Sequence, residues 1–116
     1  MASLLTDIKK LLGIDEFYTQ FDTDISISIK SALTFAKQLG LVMPEGFSIT
    51  DDLSKYEIDN LEFIEEYIYL RTRLIFDPPQ NSFAVEAIKE QIKEYEFRLN
   101  VEYDNWEWRG KEEEGS

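Results

Sequence analysis

The chain has 116 residues, 43% apolar and 14% aromatic, which suits one small domain with its own core and excludes disorder over most of its length. Its 24 Asp and Glu residues outnumber 12 Lys and Arg, a formal net charge of −12, and so acidic a surface argues against free nucleic acid or an anionic membrane as main ligand. Since Cys and His are absent, disulfides, Cys/His zinc sites and every Ser-His or Cys-His relay are excluded.

A first short helix is predicted over residues 3–12. Ser3 is suited to the N-cap position, and Gly13 is suited to ending the helix. A linker over residues 14–22 follows. The apolar residues of this helix recur at helical spacing and form one stripe: Leu4, Leu5, Ile8, Leu11 and Leu12.

The next segment has two competing patterns. Residues 24–30 alternate between apolar and polar, as in a half-buried strand. A longer set of apolar positions instead shares one side of a helix, and we therefore predict a helix, capped by Asp22 or Thr23 and ended by Gly40. The helical set is Ile25, Ile29, Ala32, Leu33, Ala36 and Leu39.

A third helix, from Lys55 or Ile58 to Ile75, is predicted after a loop over residues 41–54. Two neighbouring apolar stripes cover half of its circumference or more, which indicates a helix that is central to a bundle or shared with another subunit. Arg71 projects into this apolar arc. The stripes are Leu61, Ile64, Ile68 and Ile75, and beside them Phe63, Tyr67, Leu70 and Leu74.

Two environments fit an arginine in such an arc. Arg71 either extends to solvent or pairs with a carboxylate of its own chain, or it lies in a subunit contact, where arginine is preferred for partly buried charge pairs. The surplus apolar surface of the helix favours the contact. We therefore take Arg71 as a candidate protein-interface residue.

Asp77, Pro78 and Pro79 are predicted to form a structural turn, because consecutive prolines remove two donors and exclude the preceding residue from the helical region. A last helix then runs from position 81 or 82, with Asn81 or Ser82 as N-cap, to about residue 100. Its inward face is Ala84, Ile88, Ile92, Tyr95 and Leu99.

The predicted fold is therefore all-α, a small bundle of about four helices with an extended C-terminal tail. Residues 1–100 form the helical domain, and residues 101–116 form an acidic, aromatic tail. The core is predicted to comprise Ile25, Ile29, Leu33, Ala36, Leu61, Ile64, Ile68, Ile88, Ile92 and Leu99.

Three acidic pairs are the only candidates for metal binding or acid/base catalysis. Residues 51–62 begin with Asp and end with Glu, as a calcium loop does, but Leu53, Lys55 and Tyr56 occupy positions that such a loop gives to ligands and glycine. We interpret the pairs as caps and solvated faces, and expect no catalytic residue, metal or cofactor. The pairs are Asp22/Asp24, Asp51/Asp52 and Glu65/Glu66.

Three large aromatics lie in the predicted tail: Tyr103, Trp106 and Trp108. They either fold back over an apolar patch of their own bundle or form a docking segment, since Trp and Tyr are enriched at interface hot spots. The two interpretations carry equal weight, and we take these residues as further interface candidates.

No apolar run approaches the roughly 20 residues of a membrane helix. Lys9 and Lys10 follow the first leucines, which is the wrong order for a secretory signal. We expect a soluble intracellular protein that is not a conventional enzyme.

Residues 76–100 resemble the head–tail connector (head-completion adaptor) proteins of tailed phages and prophages. Those proteins have a helix, an acidic-proline turn and a last helix with a Glu-x-Glu-aromatic-Arg-Leu-Asn stretch. The residues that carry the resemblance are Phe76-Asp77-Pro78-Pro79, Phe83, Ala87-Ile88, Gln91-Ile92 and Glu94-Tyr95-Glu96-Phe97-Arg98-Leu99-Asn100.

The resemblance implies a virion structural protein at the head–tail interface, assembled in the host cytoplasm. Such proteins form a homo-oligomeric ring, usually a dodecamer, beneath the portal protein, and they extend the DNA channel and join the head to the head-closure (stopper) protein and the tail. DNA would pass without specific binding, and no catalytic residues carry over. The alternative is a monomeric acidic inhibitor that mimics DNA; a small enzyme using Asp and Glu is a weaker third.

Overall fold

Four α-helices make up the fold, and the computed structural model describes the backbone of residues 2–115 and the side chains of residues 2–100. No strand occurs within residues 2–115. The predicted all-α bundle is therefore confirmed. The helices are α1 (Leu4–Leu11), α2 (Asp22–Leu39), α3 (Leu61–Phe76) and α4 (Ser82–Gly115), with a short 3₁₀ turn at Leu53–Lys55.

Helix α1 begins and ends as its sequence predicts. The Ser3 hydroxyl accepts a hydrogen bond from the backbone N–H of Thr6 at 3.1 Å, which makes Ser3 the N-cap. Gly13 follows the helix with φ of +80°, a left-handed conformation that glycine adopts without strain.

The ambiguous second segment is a helix, as predicted, but its predicted cap is wrong. Phe21 occupies the N-cap position of α2 and forms no side-chain cap. Asp22 is the first helical residue, and its carboxylate lies 2.8 Å from the buried ammonium of Lys9 instead of capping. Gly40 ends the helix with φ of +124°.

Helix α3 begins later than predicted. Lys55 belongs to the 3₁₀ turn, and Asn60 adopts a left-handed backbone with φ of +58° that cannot continue a helix. The helix therefore begins at Leu61 and ends at Phe76.

The N-cap of α4 is Asn81, whose side-chain oxygen accepts a hydrogen bond from the Phe83 N–H at 2.8 Å. The prediction that this helix ends near residue 100 is wrong, since it continues to Gly115. The chain has no proline after Pro79 and no glycine between Gly46 and Gly110, so nothing in this stretch stops a helix. The side chains of Tyr103, Trp106 and Trp108 lie outside the described residues.

Buried residues of all four helices form one core, in which α2 and α3 pack most extensively. Every predicted core residue is buried except Leu61, which is only half-buried because α3 begins there, at the rim of the bundle. No helix in the described part of the chain is long and apolar enough to span a bilayer. Further core residues include Leu4, Ile8, Ala32, Ile49, Tyr67 and Leu70.

Candidate interaction surfaces

Arg71 lies where α2, α3 and α4 meet. Its Nη1 donates hydrogen bonds to Oε2 of Glu96 at 3.0 Å and to the hydroxyl of Tyr67 at 3.3 Å. Its guanidinium carbon lies 4.6 Å from the centre of the Phe35 ring, in a cation–π arrangement. Residues of α2 and α4 therefore cover the part of the apolar face of α3 that contains Arg71.

The Tyr67 hydroxyl is a donor in this cluster, bonded to Oε2 of Glu96 at 2.9 Å. Burial raises the pKa of Tyr67, and the hydrogen bond to the Glu96 carboxylate raises it further, so the hydroxyl stays protonated. Of the environments considered for Arg71, pairing with a carboxylate of its own chain is present. A role of Arg71 in a subunit contact stays a prediction.

Asp51 and Asp52 both accept hydrogen bonds within their own loop, and Asp52 is the N-cap of the 3₁₀ turn. Asp51 accepts hydrogen bonds from the Tyr56 hydroxyl at 2.6 Å and from the Ser48 N–H at 2.9 Å, and these hold the pKa of Asp51 below its usual value. Asp52 accepts from the Ser54 N–H at 3.0 Å, which lowers its pKa in the same way. Within the described side chains, no group of three or more Asp and Glu residues is placed to bind a metal.

A carboxyl pair between helices was not evident in the sequence. Burial raises the pKa of Glu65 on α3 to about 7, and the charge and hydrogen bond of Asp7 on α1 and the charge of Glu62 add to the shift. The sequence suggested a pair of Glu65 with its neighbour Glu66, but the two point about 100° apart on a helix. Only the packing of α1 on α3 could show this pair.

An open groove of about 710 Å³ lies where α2 ends and α3 begins, beside the turn of α4 that contains Phe97 and Leu99. Leu41, Met43 and Phe63 form part of its apolar lining. Val42 (80% exposed) and the largely exposed ring of Phe97 also line it. The groove is thus an apolar surface of the bundle that is separate from the Arg71 cluster.

The connection between α3 and α4 contains the predicted turn. Asp77 is the C-cap of α3 and donates its N–H to the Arg73 carbonyl at 2.9 Å. Pro78 and Pro79 follow in non-helical conformation before α4 begins at Ser82. The turn joins α3 to α4, and its three residues are neither hydrogen-bonded to Arg71 nor part of the lining of the groove.

A family model described as phage connector protein matches residues 4–106. The match covers α1, α2 and α3 and most of α4, including the turn and the residues that carried the resemblance. No curated protein and no solved structure matches the chain. Since the family model covers most of the sequence, the chain belongs to the phage connector protein family, which makes it a component of the virion.

Proposed function

We propose that the chain is a structural, non-enzymatic adaptor that forms a homo-oligomeric ring below the portal. In this role it extends the DNA channel and joins the head to the head-closure protein and then to the tail. A dodecamer is the ring size implied by the resemblance, and assembly would take place in the host cytoplasm. The family match over residues 4–106 is the observation that carries the proposal.

Surplus apolar surface supports assembly with other chains. Val42 and Phe97 are mostly exposed and line one groove with Leu41, Met43 and Phe63. Ile75 and Phe83 are also mostly exposed. Soluble monomers rarely expose large contiguous apolar patches, and such patches mark interaction sites. Copies that associate would cover part of this surface.

The distribution of charge supports passage of DNA without tight binding. The chain has 24 Asp and Glu residues against 12 Lys and Arg, a formal net charge of −12, so half of its carboxylates have no cation to balance them. On α4, the exposed carboxylates of Glu86, Glu90 and Glu94 are those that do pair with neighbouring cations. Carboxylates repel phosphate, and phosphate contacts supply most of the affinity of nonspecific DNA binding. A channel wall of this composition would let DNA slide.

The residues give no support to an enzymatic role. The polar clusters that hold the fold use their groups in structural contacts: Arg71 with Glu96, Asp51 with Tyr56, and Lys9 with Asp22. The alternative of a DNA-mimic inhibitor predicts a one-to-one complex with a basic protein, and nothing in the comparisons favours it. The connector role is therefore the better proposal.

The C-terminal part of α4 is proposed to dock on the portal ring or on a neighbouring subunit. The segment of residues 101–108 contains Tyr103, Trp106 and Trp108, and aromatic anchors at a joint contribute about 2 kcal/mol or more each. Repetition around a ring would add avidity. A chain truncated after Asn100 should melt normally but no longer bind portal-bearing heads. Normal binding would exclude this docking role. Unfolding of the truncated chain would indicate instead that the tryptophans pack in the core of the bundle.

Complementation of a phage with a stop codon in this gene tests the proposed function. We expect DNA-filled heads and free tails that do not join, and we expect purified chain to restore joining in vitro. Normal virions from the mutant, or a chain that does not bind purified heads, would contradict the proposal.

A further inference from the structure

The linker between α1 and α2 is fastened by one buried lysine. The Lys9 side chain is 3% exposed, and its ammonium lies 2.8 Å from Oδ1 of Asp22. It also donates hydrogen bonds to the backbone carbonyls of Glu16 at 2.9 Å and of Tyr18 at 2.8 Å. The two carbonyls accept two of the three ammonium hydrogens, and the Asp22 carboxylate supplies the opposite charge. Lys9 therefore fixes the backbone on both sides of residue 17.

Three further contacts hold the same loop. Oδ1 of Asp15 accepts a hydrogen bond from the Phe17 N–H at 2.8 Å. The Tyr18 and Phe21 rings lie 5.6 Å apart, and Phe21 meets Phe76 of α3 at 5.2 Å. The loop is thus anchored to α1, α2 and the end of α3.

The side chain that this anchored loop presents is an exposed aromatic. Phe17 is 84% exposed, although its backbone is held between two carbonyls bonded to Lys9. A rigid loop that presents an aromatic ring loses little conformational entropy when it binds, which is the usual advantage of a preorganised anchor. Nothing in the packing of the described residues requires a phenylalanine at this position.

The charges beside the ring are negative. Asp15 and Glu16 are exposed, and neither forms an ion pair with a described residue. Lys10 and Phe17 line the same surface cleft, and Lys10 is also exposed. The excess of carboxylates at the tip favours a partner surface that is basic.

We propose that residues 15–18 form a docking surface for a different protein of the virion, which receives the Phe17 ring in an apolar pocket rimmed by Lys or Arg. The inference rests on the proposed function, since it assumes that the chain joins other virion proteins. A second copy of this chain is a poorer occupant, because the apolar groove that it offers is lined by the carboxylates of Glu57 and Asp59 as well as by Arg98.

Two variants separate the ring from the charge. Phe17→Ser removes the anchor, and Asp15→Asn removes one negative charge while keeping the oxygen that accepts from the Phe17 N–H. Ile27→Ser is the matched control, because Ile27 is 61% exposed on α2 and lines neither the groove nor the cleft beside Phe17. The readouts are thermal melting, the mass of the chain's own oligomer, binding to purified heads that lack this chain, and joining of loaded heads to purified tails.

We expect Phe17→Ser to melt and self-associate normally and to weaken one of the two joints by about 30-fold, the loss expected of a hot-spot residue. Asp15→Asn should weaken the same joint less, and should reduce its sensitivity to NaCl. Ile27→Ser should leave that joint unchanged.

Phe17→Ser with both joints intact would overturn the inference while leaving the proposed function standing. A changed oligomer mass would also overturn it, because Phe17 would then lie between copies. A wild-type chain that joins neither heads nor tails would contradict the proposed function and the inference with it.

Discussion

The guanidinium of Arg71 on α3 and the carboxylate of Glu96 on α4 form an ion pair at 3.0 Å between residues 25 apart in the chain. The same guanidinium stacks on Phe35 of α2, so one side chain contacts three helices. Both charged groups are largely shielded from solvent, and removal of either leaves the other with an unsatisfied half-buried charge.

Arg71→Ala should therefore lower the free energy of unfolding by about 1–3 kcal/mol, since Glu96 and the Tyr67 hydroxyl lose a partner. Arg71→Lys should recover only part of the loss, because an ammonium lacks the planar face that stacks on Phe35. Chemical denaturation of Arg71→Ala, Glu96→Ala and the double variant measures the coupling. Arg98→Ala, which breaks an exposed pair with Glu94, is the control. If the losses of the two single variants add up to the loss of the double variant, the ion pair itself contributes nothing to stability.

Ile64→Ala and Ile88→Ala should each reduce the free energy of unfolding by about 2–5 kcal/mol, because each leaves a cavity in the core. Both side chains are buried between helices. Leu61→Ala should cost less, since Leu61 is half-buried. Ile27→Ala, at an exposed position of α2, should melt like the parent. Parent-like melting of both core variants would contradict the packing described.

Stability should depend on the protonation of Glu65. The pKa of Glu65 is raised from 4.5 to about 7 in the folded protein. The stabilisation that protonated Glu65 gives the fold is therefore complete below pH 4.5 and is lost as pH rises through 7. The lowered pKa values of Asp51 and Asp52 affect stability only at pH values below this window.

The melting temperature of the parent should therefore fall between pH 5 and pH 8, and Glu65→Gln should flatten this fall. Glu90→Gln, at an exposed position on α4, should not change the profile. Identical profiles for Glu65→Gln and the parent would show that the carboxyl pair does not titrate in this range.

Thr72→Val should stabilise the protein. Thr72 is fully buried on α3, and its hydroxyl has no hydrogen-bond partner among the described residues. Valine fills the same space without a buried unsatisfied hydroxyl, so we expect a gain of about 1 kcal/mol in the free energy of unfolding. Thr72→Ser keeps the hydroxyl, loses a methyl group, and should be less stable than the parent. Destabilisation by valine would mean that the hydroxyl has a partner in solution.

Replacement of both Pro78 and Pro79 by alanine should preserve helical circular dichroism but impair assembly on heads. The turn between α3 and α4 sets the angle of these helices and hence the shape that each subunit presents to its neighbours in a ring. Virion yield and the mass of the assembled oligomer measure the effect. Normal virions would show that the prolines only separate the helices.

Local signals were sufficient to predict most of the fold. The Ser3 cap, the Gly13 and Gly40 ends and the helical period of α2 all concern residues close in sequence. The start of α3 was missed because the left-handed backbone of Asn60 is not visible in the residue type alone. The end of α4 was missed because amphipathic spacing was given more weight than the absence of helix-breaking residues.

Long-range pairs could not be predicted from spacing. Glu96 lies beside the apolar stripe of α4, but only the packing of α3 on α4 shows that it meets Arg71. Lys9 flanks the apolar stripe of α1, and nothing in its spacing shows that its ammonium is buried against the linker. Such pairs depend on the angles between helices, which the sequence pattern does not specify.

The mass of the purified chain, alone and on portal-bearing heads, tests the central claim most directly, together with negative-stain images of both samples. The proposed function predicts a ring of many copies on the head, with a central opening aligned with the portal. A chain that stays monomeric in both samples, or that forms a one-to-one complex with a basic protein, would contradict it.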